Sequence, residues 1–343
     1  MTLVVRAPLA WLGPGRTVSD VQIVCEGDTI AQVGPVAPVP DTARLVISDG
    51  FCLPAGADRH VHVGLGDPVA MLRRGITAVR DLAWPAERIF PLAEASELPA
   101  FNGPLIRAAG PMLTAPGGYP TKEPWAPEGT GLEITTAQEA SDAVAMLGAR
   151  GATAIKVSMN TDAGPTPNDA ELTAICDTAH ELELPVTVHA QGSGQVERAL
   201  GAGVDEMAHT PWTERLTDDL IQAAASRMRW LSTLDIHGFG HDSEGLRIAM
   251  DNLSRFHRAG GTVQYGTDLG NGPIPSGIHT RELRLLHEAG LGTEEVLQSL
   301  VRAPIEAGAP ADLLVLADSP LGDLDAFDDC RVVIRDGEVV AGG

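Results

Sequence analysis

The segment Leu53–Gly64, LPAGADRHVHVG, places two histidines one residue apart behind a short apolar lead-in. Alternate residues of a β-strand project to the same side, so as a strand it brings the His60 and His62 imidazoles toward one point in space. Such a pair can grip a metal ion, or it can be two polar residues satisfied on one sheet face. The rest of the chain has to decide between these readings, and the fold goes with the decision.

Outward from this segment, residues 53–307 alternate short strand-like runs with helical ones. The runs end in DRHVH, TAVRDL, PLIRAAG, ATAIKVS, LPVTVHA, DEMAH, RWLSTL and TVQYGTD, with helical periodicity between them, as in AQEASDAVAMLGARG, NDAELTAICDTAHELE and GQVERALGAG. Several of these helices close on a glycine, as a C-terminal cap does. Eight strand–helix units in about 250 residues match a (β/α)8 TIM-like barrel in the α/β class. A doubly wound open sheet is the alternative, but it usually has fewer strands, and no Gly-rich dinucleotide fingerprint is present. The first fifty residues and the last thirty-odd carry β-type signals instead, TLVVRA, DVQIVCEGDTIAQVG and ARLVISDG at one end, ADLLVLA and CRVVIRDGEVVAG at the other. They predict a small β-sandwich domain built from both termini, residues 1–52 with 308–343, beside a barrel of residues 53–307.

The composition is that of a globular chain: 343 residues, 44% hydrophobic, 20% charged, 4% aromatic. Acidic residues outnumber basic ones 46 to 24, a formal charge of -22, which argues against nucleic acid or an anionic membrane as partner. Cys25, Cys52, Cys176 and Cys330 lie far apart with no Cys-x-x-Cys pair and read as free thiols of a reducing compartment. With no signal-peptide pattern and no apolar run of membrane-spanning length, the expectation is a cytoplasmic protein acting on a small molecule, with homo-oligomerisation left open.

A (β/α)8 barrel carries its active site where the strands end. Lys156 closes the fourth predicted strand, His189 the fifth, His209 the sixth and Asp268 the eighth. The intervals of 33 and 20 residues each suit one βα unit, and the 59 residues from His209 to Asp268 suit two. Singly, each has a plain explanation: a surface lysine, a hydrogen-bonded core histidine, a turn aspartate. The apolar AIKV context favours burial of Lys156, which lowers its pKa and makes its neutral amine accessible. Together with His60 and His62, six residues of ligand type at successive strand ends form a constellation that chance rarely produces.

These segments, with LRRGITAVRDL, GPLIRAAGPMLTAPGGY, ALGAGVDEMAHT and the closing GAPADLLVLADSPLGDLDAFDDCRVVIRDGEVV, resemble the metal-dependent amidohydrolase superfamily, in particular its imidazolonepropionase-like and prolidase-like branch. The resemblance implies two divalent metal ions. His60, His62 and Asp268 would hold the buried one, His189 and His209 the other, and Lys156 would bridge them as a carbamate formed with CO2. Zn(II) suits such donors best, and Mn(II), Fe(II) and Co(II) are also accommodated. It further implies hydrolysis of an amide-type C–N bond in a small cyclic amide or a dipeptide-like or N-acyl substrate, with Asp268 relaying the proton to the leaving nitrogen. Lactone or ester hydrolysis, deamination and a non-catalytic binding role are the alternatives. Deaminating relatives tend to use one metal and lack the strand-four lysine, so Lys156 weighs against them.

Two departures from the family pattern concern the substrate. The loop after His62, VGLGDPVA, is short and suggests an open pocket, and Gly117-Gly118-Tyr119 stands where the family often has Gly-Gly-His. Tyr119, Trp125, Trp212, His237, His241 and His279 fall on loops expected to face the site and are the candidate substrate-binding residues. For the aromatic ones a packing role is an equal reading. His180, His257 and His287 fall in helices, away from the chemistry.

Overall fold

The structure, a computed structural model, describes residues 2–342. Five strands open the chain: β1 (Thr2–Trp11), β2 (Thr17–Glu26), β3 (Thr29–Pro35), β4 (Arg44–Ile47) and β5 (Phe51–Pro54). The central region follows with β6 (Gly56–Val61), α1 (Pro68–Arg73), β7 (Ile76–Asp81), α2 (Ala86–Ser96), β8 (Leu105–Ala108), β9 (Met112–Thr114) and β10 (Gly131–Glu133). It continues with α3 (Ala137–Ala149), β11 (Ile155–Asn160), α4 (Asp169–Glu181), β12 (Val186–Gln191), α5 (Gln195–Ala202), β13 (Glu206–Met207) and α6 (Asp218–Ala225). Then come β14 (Arg229–Leu231), α7 (Glu244–Arg258), β15 (Thr262–Gln264), α8 (Thr280–Glu288), α9 (Thr293–Leu300) and, at the chain's end, β16 (Leu313–Leu316), β17 (Cys330–Arg335) and β18 (Glu338–Gly342).

The terminal strands form one eight-stranded sheet of order β18-β17-β16-β5-β1-β2-β3, with β4 also on β1. Two separate sheets, as a sandwich has, are not what the hydrogen bonds draw. The reason is the length of β1: Leu3–Arg6 pair with β4 and Leu9–Ala10 pair with β5, so one strand spans what would be the gap between layers. The sheet wraps over its own core, where Val5, Ile23, Cys25, Ile30, Leu313 and Ile334 meet. Pairing of β5 with β16 extends to Pro54, so Leu53 and Pro54 remain in this sheet.

Each of the eight strand-like runs read between residues 53 and 307 contains a strand, and all of these pair in parallel. β6, β7 and β8 form one group, and β9, β11, β12, β13, β14 and β15 another, with β10 at its edge. The third predicted strand ends at left-handed Gly110 (φ +80°) and contains β8, which pairs with β7; a further short strand beyond it, β9, pairs with β11. The chain therefore passes from one group to the other here. At the other side, Asp268 N donates to His60 O (2.8 Å) and His62 N to Leu269 O (2.7 Å), tying the chain beyond β15 to β6.

The helices start and stop where their ends are satisfied. Asn168 and Glu171 make a capping box at α4, Thr136 caps α3, Ser243 caps α7, and left-handed Gly203 closes α5. Their inner faces lie on the strands, as where the Trp230 ring of β14 stacks on Phe256 of α7 at 3.8 Å. Among the described residues no helix is long and apolar enough to cross a membrane, and all four cysteines are free.

Candidate active site

His60 and His62 come from β6 and its end, and both side chains are buried. The Nδ1 of His60 lies 2.8 Å from Ala208 O and that of His62 3.2 Å from Ala83 O. A carbonyl can only accept, so each Nδ1 carries the hydrogen and, in the neutral ring, each Nε2 presents a lone pair. Both Nε2 atoms lie 3.1 Å from the same carboxylate oxygen, Asp268 Oδ1. That oxygen has no partner of hydrogen-bond geometry among the described residues. Three acceptors aimed at one point need a cation among them, and a divalent metal fits this donor set.

His189 and His209 continue the cluster. Their ring centroids are 4.8 Å apart, and the His209 ring is 4.6 Å from that of His60. His209 Nδ1 is 2.9 Å from Thr233 Oγ1, while His189 Nε2 faces Asn160 Nδ2 and Gln191 Oε1. Lys156 is fully buried, and its Nζ has no hydrogen-bond partner among the described residues. An ammonium cannot stay charged cheaply in such a place. Burial first, then the nearby positive charge of Arg80, pull its pKa down to about 7, against the opposing pull of Asp268. A neutral amine at neutral pH is what carbamate formation requires, so the residues here also fit a bridged second ion.

Three of the four imidazoles are held neutral, the form that can ligate a metal. Burial lowers His60 to about 4 and His189 to about 3, and it drives His209 well below the usual range. For His62 burial acts the same way, but contact with Asp268 and the charges of Asp268 and Asp81 outweigh it and raise the pKa. Burial would lift the Asp268 carboxyl, yet the His60 charge and the contacts with His60 and His62 hold it well below the ordinary value. His62 is thus the one ring of the four shifted toward its protonated form.

Asp268 and Thr233 both have left-handed backbones, φ +57° and +40°, which are costly for residues other than glycine. For Asp268 this departure from extended geometry comes four residues after β15 ends, so the carboxylate is placed by the following turn and not by the strand itself. His209 likewise lies two residues beyond β13. Replacing Thr233 by valine leaves His209 Nδ1 without its partner, and metal affinity is expected to fall about 10–100-fold with the fold retained. Metal-competition titration reads this directly, and unchanged affinity would show that the hydroxyl does not orient the ring.

Of the six candidate substrate-binding residues, four line the cluster. Tyr119 stacks over His189 at 5.1 Å, Trp125 lies 5.0 Å from His62, and Trp212 is 5.3 Å from His209 and stacks on His237 at 4.6 Å. Burial lowers His237 to about 4, and its Nε2 has no hydrogen-bond partner among the described residues. His241 is exposed, away from these rings. His279 turns to Asp235, 2.7 Å from its Oδ2, and with Arg281 anchors the loop after β14. The short first loop is packed down: Gly64 rests on the Trp84 ring, where a Cβ would lie 2.1 Å from Cε2.

Other participants escape a reading of strand ends. Asp58, two residues before His60 on the same face, accepts from His60 N (3.0 Å), Thr267 N (3.1 Å) and Thr267 Oγ1 (2.5 Å), fixing β6 against the segment that carries Asp268. The period of two in Asp58, His60 and His62 was the available signal. Asp81 accepts from Val63 N and Ala83 N, holding the backbone on which His62 leans. Thr233 has no such signal, since nothing in LSTL marks a hydroxyl for a histidine on another strand.

The chain belongs to the amidohydrolase family, whose model matches residues 51–299. No curated protein matches it in sequence. Among solved structures it is similar to an Xaa-Pro dipeptidase with methionine bound in the active site, 21% identical over 99% of both chains with a TM-score of 0.84. It is also similar to a prolidase complexed with N-methylphosphonate-L-proline (22% identical, 99% of both chains, TM-score 0.84). An A. niger ochratoxinase is a third (18% identical, 99% of this chain and 96% of that one, TM-score 0.82). At these identities the three likenesses establish the fold. Family membership together with the His60–His62–Asp268 group supports metal-dependent hydrolysis of carbon–nitrogen bonds.

Proposed function

We propose that the chain is a binuclear amidohydrolase on a closed (β/α)8 barrel, hydrolysing an amide-type bond in a small cyclic amide or a dipeptide-like or N-acyl substrate. The carrying observation is the convergence of His60 Nε2 and His62 Nε2 on Asp268 Oδ1, three buried acceptors arranged for a cation. Hydrogen bonds across both junctions between the strand groups support closure.

His60, His62 and Asp268 would hold one ion, His189 and His209 the other. Lys156, as the neutral amine, would add CO2 through Nζ, lose a proton and span both ions as a carbamate. Bound divalent ions, Zn(II) by preference, supply Lewis acidity toward a carbonyl oxygen and acidify water. The protein's own part is positional and protolytic. Asp268 Oδ2, which accepts from Asn271 Nδ2 at 3.0 Å, takes the proton of the attacking water and returns it to the departing nitrogen. Tyr119, held protonated by burial, and the unpartnered His237 Nε2 offer hydrogen bonds to the substrate, while Trp125 and Trp212 wall its apolar part. The acidic surface and unpaired cysteines suit a cytoplasmic enzyme of small molecules.

The test is a hydrolysis screen of metal-loaded protein against dipeptides, N-acyl amino acids, hydantoins, imidazolones and lactones, with metal analysis alongside. The names of the similar structures put Xaa-Pro dipeptides first in the panel. Near two equivalents of metal with turnover of one amide class is the expected result. Metal-free protein with an unmodified Lys156 and no turnover would sink the proposal in favour of a binding role.

A further inference from the structure

At the opposite end of the strands lies a cavity of about 310 Å³ lined by Arg59, Arg80, Arg107, Arg229, Arg302 and Glu206. Five of the chain's 22 arginines meet here, in a protein whose formal charge is -22. Glu206 opens β13 and Arg229 opens β14, and the register aligns Lys156, Thr187, Glu206 and Arg229 in one row across four strands. The cavity is therefore beneath the floor of the candidate active site, away from the loops that carry barrel catalysis.

The positive charge exceeds what the protein supplies against it. Glu206 Oε1 receives Arg80 Nη2 and Thr187 Oγ1, while Oε2 is 3.6 Å from Arg229 Nε with no hydrogen bond. Arg107 reaches Glu97, and Arg302 is 3.8 Å from Asp312. Arg59 donates only to the carbonyls of Ala57, Ser299 and Val301, which leave its charge uncancelled. The other acid on the wall, Asp58, is turned to Thr267 and His60 N. Arg229 and Arg302 make no side-chain hydrogen bond among the described residues and are ion-paired only at 3.6 and 3.8 Å, so most N–H donors of their planar forks are left over. Such forks match the paired oxygens of a carboxylate or phosphate.

We propose that this cavity is a binding site for a small oxyanion, held by Arg80, Arg107, Arg229 and Arg302. Gln264, also on its wall, adds no charge.

The experiment titrates the metal-loaded protein with inorganic phosphate and, separately, malonate, each against sodium chloride of matched ionic strength, by calorimetry and thermal unfolding. The expected result is saturable binding and a rise in melting temperature. The tighter of the two probes assigns the ligand to phosphates or to carboxylates, and either outcome supports the site. Because phosphate also ligates metal ions, location comes from variants. Arg229→Gln with Arg302→Gln is expected to weaken binding at least tenfold with metal content unchanged. His60→Ala with His62→Ala is expected to keep the response. Gln264→Glu places a carboxylate in the cavity, raises the melting temperature in phosphate-free buffer and removes the response, a result that does not depend on the arginine variant folding. A response no larger than that of chloride, or one that survives both Gln264→Glu and the arginine replacements, overturns the proposal whether or not the enzyme proves to be an amidohydrolase.

Discussion

Asp268→Asn is expected to lower kcat by roughly 10²–10⁴-fold, the range attributed to a positioned general acid–base, while the protein keeps its fold. Asparagine has the shape of aspartate, so the Asp268 N to His60 O bond and the left-handed turn persist. What disappears is the charge on Oδ1, the atom on which both first-strand histidines converge, and the basicity needed to take a proton from water. Without that carboxylate the pKa of His62 drops, since contact with Asp268 is the largest influence raising it. Kinetics on protein with measured metal content separate lost proton transfer from lost metal. A variant of wild-type activity removes Asp268 from the chemistry.

Lys156→Met should stabilise the metal-free protein and inactivate the loaded one. Burial holds the lysine near 7 in the folded state, against 10.5 ordinarily. Between those values the unfolded chain binds the proton and the folded protein does not, so this residue makes stability rise with pH across the window. Below about pH 7 the full penalty is present, on the order of 5 kcal/mol from the two values. Methionine removes it. In denaturant titrations the variant's advantage over wild type is expected to be several kcal/mol at pH 6 and to shrink toward pH 10, with bound metal falling below that of the wild type. A stability difference independent of pH would mean that Lys156 titrates normally.

How much of this could be read from the chain alone depends on the residue. His60 and His62 show their common face by alternation, and Lys156 shows its burial by apolar neighbours. Tyr119, Trp125, Trp212 and His237 were placed near the site by being on loops after strand ends, and they are found around the histidine rings. The same reasoning included His241 and His279, which turn elsewhere, because loop position says nothing of side-chain direction. The third strand reads only as far as Gly110, and β9 beyond that turn, which pairs with β11, has no local signal. For the terminal strands, strand-forming composition is local, but that β1 pairs with both β4 and β5 and so joins all eight into one sheet depends on the partners it meets.

From the chain alone follow the alternation of strands and helices, the β-character of both termini and the ligand-type residues on or shortly after strands, although Lys156 lies near the start of β11 and His209 and Asp268 lie beyond β13 and β15. All of these follow from backbone periodicity and side-chain chemistry within a few positions. What needed the folded chain is that Asp268 meets His60 and His62 at one oxygen, that Thr233 Oγ1 lies against His209 Nδ1, and that arginines 59, 80, 107, 229 and 302 share one cavity. These are contacts between strands remote in sequence, governed by strand order, register and a left-handed turn, none of which leaves a local trace.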